Sequence, residues 1–130
     1  MSEEFKVEIV NPEKAFLTRE DVLEVVVPAF EGEMGILKDH VSIISFLKPG
    51  IIKILSTSEK KNFFVEDGIL EFKNNNLSIL TSSILDIAEL DNSKIKSLIK
   101  IAEEEASKSE INDQIKYLVD QKIEVLKSLN

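Results

Sequence analysis

Few residues in this chain of 130 could do chemistry. There is one histidine, His40, with no cysteine and no tryptophan. A lone imidazole can serve as a base, a metal ligand or a pH sensor. No serine nucleophile motif accompanies it, and no second histidine supports metal binding, so it reads as a turn or interface residue. Glu31-Gly32-Glu33-Met34-Gly35 sets two glycines three apart. A phosphate-binding loop would need Gly-Lys-Ser/Thr, and two carboxylates would repel phosphate. Paired-carboxylate sugar chemistry would need a cleft that so small a chain can hardly spare. The segment reads as a β-turn with a bend, or as a contact loop whose acids meet a cationic partner. The C-terminal tail intersperses seven lysines (Lys94, Lys96, Lys100, Lys108, Lys116, Lys122, Lys127) with nine acids, leaving −2. That is a solvated helical face, or a lysine stripe facing an acidic partner. The inventory predicts no enzyme, no metal and no cofactor.

The elements that must position these residues fall into two halves. Every Gly and Pro lies at or before Gly68. Tight turns between strands need such residues and helix interiors exclude them, so the chain reads as β first, then α. Phe5, Val7 and Ile9 alternate with Lys6 and Glu8, the period of a half-buried strand, which Asn11-Pro12 ends. Leu23 to Val27 is a β-branched run stopped by Pro28. Val41 to Leu47 is apolar up to Pro49-Gly50, which reads as a type II turn pair. Phe63-Phe64-Val65 and Ile69-Leu70-Glu71-Phe72 flank Asp67-Gly68, a hairpin signal. Asn74-Asn75-Asn76 makes the next turn before Leu77, Ile79 and Leu80. An antiparallel sandwich or barrel follows.

From about Leu90 the period changes. Ile95, Leu98, Ile99, Ala102 and Ala106 form a helical stripe, with Asp91, Asn92 or Ser93 available as its cap. Ser107-Lys108-Ser109-Glu110 has capping-box spacing and predicts a second start. Ile111, Ile115, Leu118, Val119, Leu126 and Leu129 form a second stripe, so the tail should be an antiparallel helical hairpin. Glu103-Glu104-Glu105 near the end of the first helix opposes its dipole, favouring fraying or pairing with lysines of the second. Two helices alone bury little, so the hairpin needs docking. The boundary falls within Asp86 to Asp91. The fold class is α+β: an N-terminal antiparallel β-sandwich over 1–88 and a C-terminal antiparallel two-helix hairpin over 89–130.

Sixteen basic and 24 acidic residues give a net charge of −8. An acidic surface argues against nucleic acid and anionic lipid as partners. Nine basic and 15 acidic residues put −6 on the sandwich half. No segment reaches the roughly 18 apolar residues of a membrane span, so no direct membrane insertion is expected. The acidic Met1-Ser2-Glu3-Glu4-Phe5 has no apolar core of a signal peptide.

Pro28-Ala29-Phe30-Glu31-Gly32-Glu33-Met34-Gly35-Ile36-Leu37 followed by His40 resembles the signature P-x-x-E-G-E-x-G-I-L-P-G-H of the epsilon subunits of bacterial rotary ATP synthases, whose mitochondrial counterpart is called delta. Leu47-Lys48-Pro49-Gly50-Ile51 resembles the family's L-K-P-G-V, and Val65 to Phe72 its V-x-G-G-F-L-E-V. The three motifs keep order and spacing across nearly the whole chain. Lys38-Asp39 stands where Pro-Gly usually precedes the histidine, Val41-Ser42 replaces Ala-Pro, and Asp67 replaces a glycine. These departures alter turn stiffness, not fold.

The resemblance implies a sandwich of about ten strands with a two-helix domain behind it. It implies a non-catalytic central-stalk rotor subunit that couples proton flow through the c-ring to ATP synthesis, peripheral on the cytoplasmic side of the bacterial inner membrane. The implied partners are the gamma subunit and the polar loops of the c-ring, the latter met by Glu31, Gly32 and Glu33 with His40 nearby. In many relatives the hairpin opens toward the catalytic alpha and beta subunits and inhibits ATP hydrolysis. Some relatives bind ATP through I-D-x-x-R-A. Leu90-Asp91-Asn92-Ser93-Lys94-Ile95 stands there, which makes Asp91 and Lys94 the corresponding nucleotide residues. Lysine lacks the bidentate fork of arginine and isoleucine crowds the adenine side, so ATP binding is expected to be weak or absent. The alternative to this whole reading is a free-standing small β-sandwich adaptor.

Overall fold

The structure, a computed structural model, describes residues 3–108 and 112–129. Nine strands are present among the described residues: β1 (Phe5–Asn11), β2 (Lys14–Ala29), β3 (Gly32–Ile36), β4 (Ile43–Leu47), β5 (Gly50–Ser56), β6 (Lys60–Val65), β7 (Gly68–Lys73), β8 (Asn76–Leu80) and β9 (Ile84–Asp86). A single 3-10 turn, Ile87–Glu89, leads to α1 (Asn92–Ala106) and α2 (Asp113–Ser128). The expected sandwich followed by a helical hairpin is what the chain forms, with nine described strands against the ten the resemblance implied.

Alternation builds β1, where Phe5, Val7 and Ile9 are buried. Its partners are β2, antiparallel, and β8, parallel. The β7–β8 hairpin turns on Asn74 and Asn75, both at positive φ (51° and 59°), the chemistry of a tight hairpin turn. β7 pairs in turn with β4. This first layer is completed by the N-terminal half of β2. The second layer is β3, the C-terminal half of β2, then β5, β6 and β9. β2 passes between the layers near Val22, where its register with β5 shifts. Val22, Val25 and Val27 are fully buried between the layers, with Ile52, Phe63 and Leu70 from neighbouring strands.

A side-chain clip holds that crossing point. Arg19, the chain's one arginine, forks onto Asp21, with Nε to Oδ1 at 3.0 Å and Nη2 to Oδ2 at 3.1 Å. It also donates to Ser58 Oγ at 2.9 Å and to Glu59 Oε1. Thr57 Oγ1 donates to Asp21 Oδ2 at 3.1 Å. The β5–β6 turn is thereby cinched to the bend in β2. Hydrogen bonding from Arg19 holds the Asp21 carboxyl below the usual carboxylate range.

Four sequence expectations are corrected. β2 begins at Lys14 and continues through Pro28 to Ala29, where Leu23 to Val27 was expected. Pro28 is tolerated because its carbonyl accepts from Lys48 N at 3.0 Å, so its hydrogen-less nitrogen also faces away from β3. Pairing with β5 stops at Val26, while the ladder to β3 continues. Pro49-Gly50 is not a type II turn, since Gly50 starts β5 and lacks the positive φ that turn requires. Its glycine answers to space: a Cβ there would overlap Pro28 Cβ and come within 2.8 Å of Cγ. Asp67-Gly68 does not close a hairpin. β6 and β7 belong to different layers, and Gly68 (φ +152°) lets the backbone pass where a Cβ would lie 2.8 Å from Leu80 O.

The second helix starts at Asn112, whose side chain accepts from Ile115 N at 2.8 Å, and not at Ser107. Ser107 instead ends α1, donating its N–H to Glu103 O. Ser109, Glu110 and Ile111 lie outside the described residues. Asp91 caps α1, accepting from Lys94 N at 2.8 Å. Ile95, Ala102, Val119 and Leu126 are the helical side chains that become buried.

Gly50→Ala should lower stability by about 1–3 kcal/mol, read as a lower urea midpoint at unchanged slope, because the added methyl overpacks against Pro28. An unaltered midpoint would show that the two backbones separate freely.

Candidate docking surfaces

β4 is apolar on both faces. Ser45 and Leu47 point inward, while Ile44 and Phe46 point out. Strand pairing then lines up the outward positions: Phe46 stands opposite Ile69, Ile69 opposite Leu80, and Leu80 opposite Val10. Phe46, Ile69 and Leu80 remain 57%, 43% and 52% exposed. Phe30 extends the row, its N–H bonded to Phe46 O at 3.1 Å and its ring half exposed. A groove of about 620 Å³ runs along these side chains and is flanked by Leu118 of α2. Contiguous exposed apolar surface of this kind marks an interaction face. The sequence held one signal for it, apolar residues at both parities of Ile43-Ile44-Ser45-Phe46-Leu47. The alignment with Ile69 and Leu80 depends on non-local register.

Phe30 leads directly into the acidic turn. Glu31 and Glu33 are exposed, and Gly32 pairs with Ala29 to close the β2–β3 hairpin. The turn, a β-turn or a contact loop on the sequence alone, lies exposed at the end of the apolar row. The structure does not bring His40 to it. β3 runs from the turn to Ile36, beside Val25, and the following loop returns at Ile43, beside Phe72. The loop carrying His40 is therefore at the opposite end of the sandwich. There Asp39 N donates to Asn75 Oδ1 at 2.6 Å and Asn75 Nδ2 donates back to Asp39 Oδ1 at 3.0 Å, joining the loop to the β7–β8 turn. His40 is half-buried, edge-on to Phe72 at 5.8 Å, with Nδ1 2.7 Å from Val41 O. That is the packing of a turn histidine. Among the described residues no group of three His, Cys, Asp or Glu side chains could hold a metal.

Asp91 and Lys94 meet only through the Lys94 backbone N–H, which the Asp91 carboxylate accepts as the cap of α1. Lys94 is exposed. Behind the hairpin, a second cleft of about 430 Å³ separates Leu98, Ile101 and Leu126 from Phe64 and Ile84 of the sandwich. Lys122 crosses it to reach Glu66, and also pairs with Glu105 at 3.1 Å. Glu105 thus takes the second of the two fates expected of the acidic run.

Over residues 4–87 the chain matches the family described as ATP synthase, Delta/Epsilon chain, beta-sandwich domain. It is 72% identical to the ATP synthase epsilon chain of Pelagibacter ubique (strain HTCC1062), a match spanning 100% of both chains. The chain belongs to the ATP synthase epsilon family. The same fold occurs in solved mitochondrial ATP synthase assemblies. A chain of the Euglena gracilis mitochondrial ATP synthase superposes with a TM-score of 0.78 at 18% identity, covering 99% of this chain and 81% of that one. A chain of the Tetrahymena thermophila mitochondrial ATP synthase central stalk and c-ring superposes with a TM-score of 0.68 at 18% identity, covering 98% and 96%. The matched family segment ends inside the 3-10 turn between sandwich and hairpin, while the Pelagibacter epsilon chain corresponds across the helices as well. No helix among the described residues is long and apolar enough to cross a membrane.

Proposed function

We propose that the chain is a non-catalytic rotor subunit of an ATP synthase, coupling proton flow through the c-ring to ATP synthesis. The observation that carries this is the exposed row Phe46–Ile69–Leu80, continuous through Phe30 with the acidic turn. A row in register across hydrogen-bonded strands is a stiff surface, suited to a partner that must not slip. The row meets the gamma subunit. Glu31, Gly32 and Glu33 meet polar loops of the c-ring, while His40, at the far end of β3, lies outside that contact. The similar solved assemblies, which include a central stalk and a c-ring, support the assignment. The chain works as two units, 1–88 and 89–130, peripheral on the cytoplasmic side of a bacterial inner membrane.

The hairpin is the regulatory unit. Opened, it reaches toward the catalytic alpha and beta subunits and slows ATP hydrolysis. Its small buried area and the cleft behind it make opening inexpensive. It binds ATP weakly or not at all, because Asp91 is engaged in capping and Lys94 lacks a planar fork.

Co-expression with gamma tests the main reading. The wild-type chain should co-purify with gamma, and Ile69→Asp should cut recovery roughly tenfold or more while changing folding stability by no more than about 0.5 kcal/mol. A wild-type chain that never associates with gamma is instead the free-standing adaptor. In the assembled complex, truncation after Asp91 should raise ATP hydrolysis, and an unchanged rate removes the inhibitory role. Calorimetry with ATP should give no saturable heat at micromolar nucleotide, whereas a micromolar dissociation constant reverses that expectation.

A further inference from the structure

Of the seven tail lysines, six are exposed and Lys122 is not. Its side chain retains 16% exposure, and its ammonium sits between two carboxylates from different parts of the chain. Glu66, at the corner between β6 and β7, accepts through Oε1 from Lys122 and through Oε2 from Ser83 Oγ at 2.9 Å. The sandwich therefore fixes its orientation. Glu105 comes from the last turns of α1 and accepts from Lys122 at 3.1 Å. Burial works against the ammonium, and the hydrogen bonds to Glu66 and Glu105 outweigh it, so its pKa stands above the usual lysine value.

The setting makes this triad consequential. Elsewhere the hairpin meets the sandwich mainly where α2 lies along β5, few helical side chains are buried, and a cleft remains beneath Leu98 and Ile101. One cation thus ties three elements together across a poorly filled gap. Its removal does more than delete an attraction. Glu66 and Glu105, now on opposite sides of an empty position, become like charges facing each other across the joint. Attachment and release are built into the same three residues.

We propose that Lys122 is the latch of the docked hairpin: with its ammonium between Glu66 and Glu105 the helices lie on the sandwich, and without it the two carboxylates drive them off. This rests on the two-unit reading of the chain but not on gamma binding or on inhibition of hydrolysis. Undocked, the pair of helices loses most of its support and exchanges its amide hydrogens rapidly.

Hydrogen–deuterium exchange of the isolated full chain tests the latch. In Lys122→Met, amides of α1 and α2 should exchange roughly tenfold faster or more, while the strands keep their protection. Adding Glu66→Gln to Lys122→Met should recover part of the lost protection, because it removes the orphaned carboxylate. The single variant Glu66→Gln should fall between wild type and Lys122→Met. The latch is overturned by helix exchange within about twofold of wild type in Lys122→Met, by equal loosening of strands and helices, or by a double variant no slower than the single one. None of these outcomes alters the gamma co-purification result, so the latch and the rotor assignment fail separately.

Discussion

Everything in this structure hangs on one strand that serves two sheets. β2 runs for 16 residues, first along β1, then between β3 and β5. A strand shared in this way must place Val22, Val25 and Val27 between the layers while it changes direction. Apolar burial supplies most of the driving force there, since each such side chain is worth about 1.5–3 kcal/mol when fully removed from water. At the bend, the Arg19–Asp21 fork joins β2 to Thr57, Ser58 and Glu59 of the β5–β6 turn. Partly exposed ion pairs add little stability, so the clip's contribution is geometric. It ties the β5–β6 turn to the crossing point, and further along the same strand Pro28 packs against Gly50 at the start of β5.

That dependence explains which parts of the fold could be read from residues alone. Phe5, Val7 and Ile9 declare a strand by their own alternation, and Asn74-Asn75 declares a tight turn by its tolerance of positive φ. Both are local rules, and both hold. Gly50 and Gly68 were legible as special positions but not in their reasons. Local chemistry attaches a glycine to a turn, whereas Gly50 answers to the ring of Pro28 and Gly68 to the carbonyl of Leu80, 12 positions away in sequence. The early half of β2 escaped notice because Phe16 and Leu17 are both half-buried, which blurs the alternation that marks a strand.

The docking face divides in the same way. Its acidic turn was visible as a motif and is where the motif suggested, at the exposed end of a hairpin. Its apolar part was not. Phe46, Ile69 and Leu80 are 23 and 11 positions apart in sequence, and only antiparallel register across β4, β7 and β8 aligns them. Periodicity can report that a residue faces outward on its own strand. It cannot report which outward residues of other strands stand beside it. His40 illustrates the converse, for the family resemblance put it near Glu31, and five residues of extended β3 carry the chain to the other end instead.

On the proposed docking face, charge and apolar surface do different work. The acids of the turn are exposed, so their attraction for a basic partner is screened beyond about 10 Å at ordinary salt and chiefly speeds encounter and selects orientation. The apolar row holds once contact is made, because burying it releases water irrespective of salt. Placing the acids at the end of the row lets orientation be chosen before the apolar surface closes. The hairpin reverses this division. Its apolar stripes are thinly buried, and a partly desolvated lysine between two acids adds the tie proposed as its latch. A sandwich held by burial and a hairpin held partly by one shielded charge respond differently to a change in electrostatic surroundings. The first keeps its shape more readily than the second, which is the difference that the proposed rotor subunit with a releasable hairpin requires.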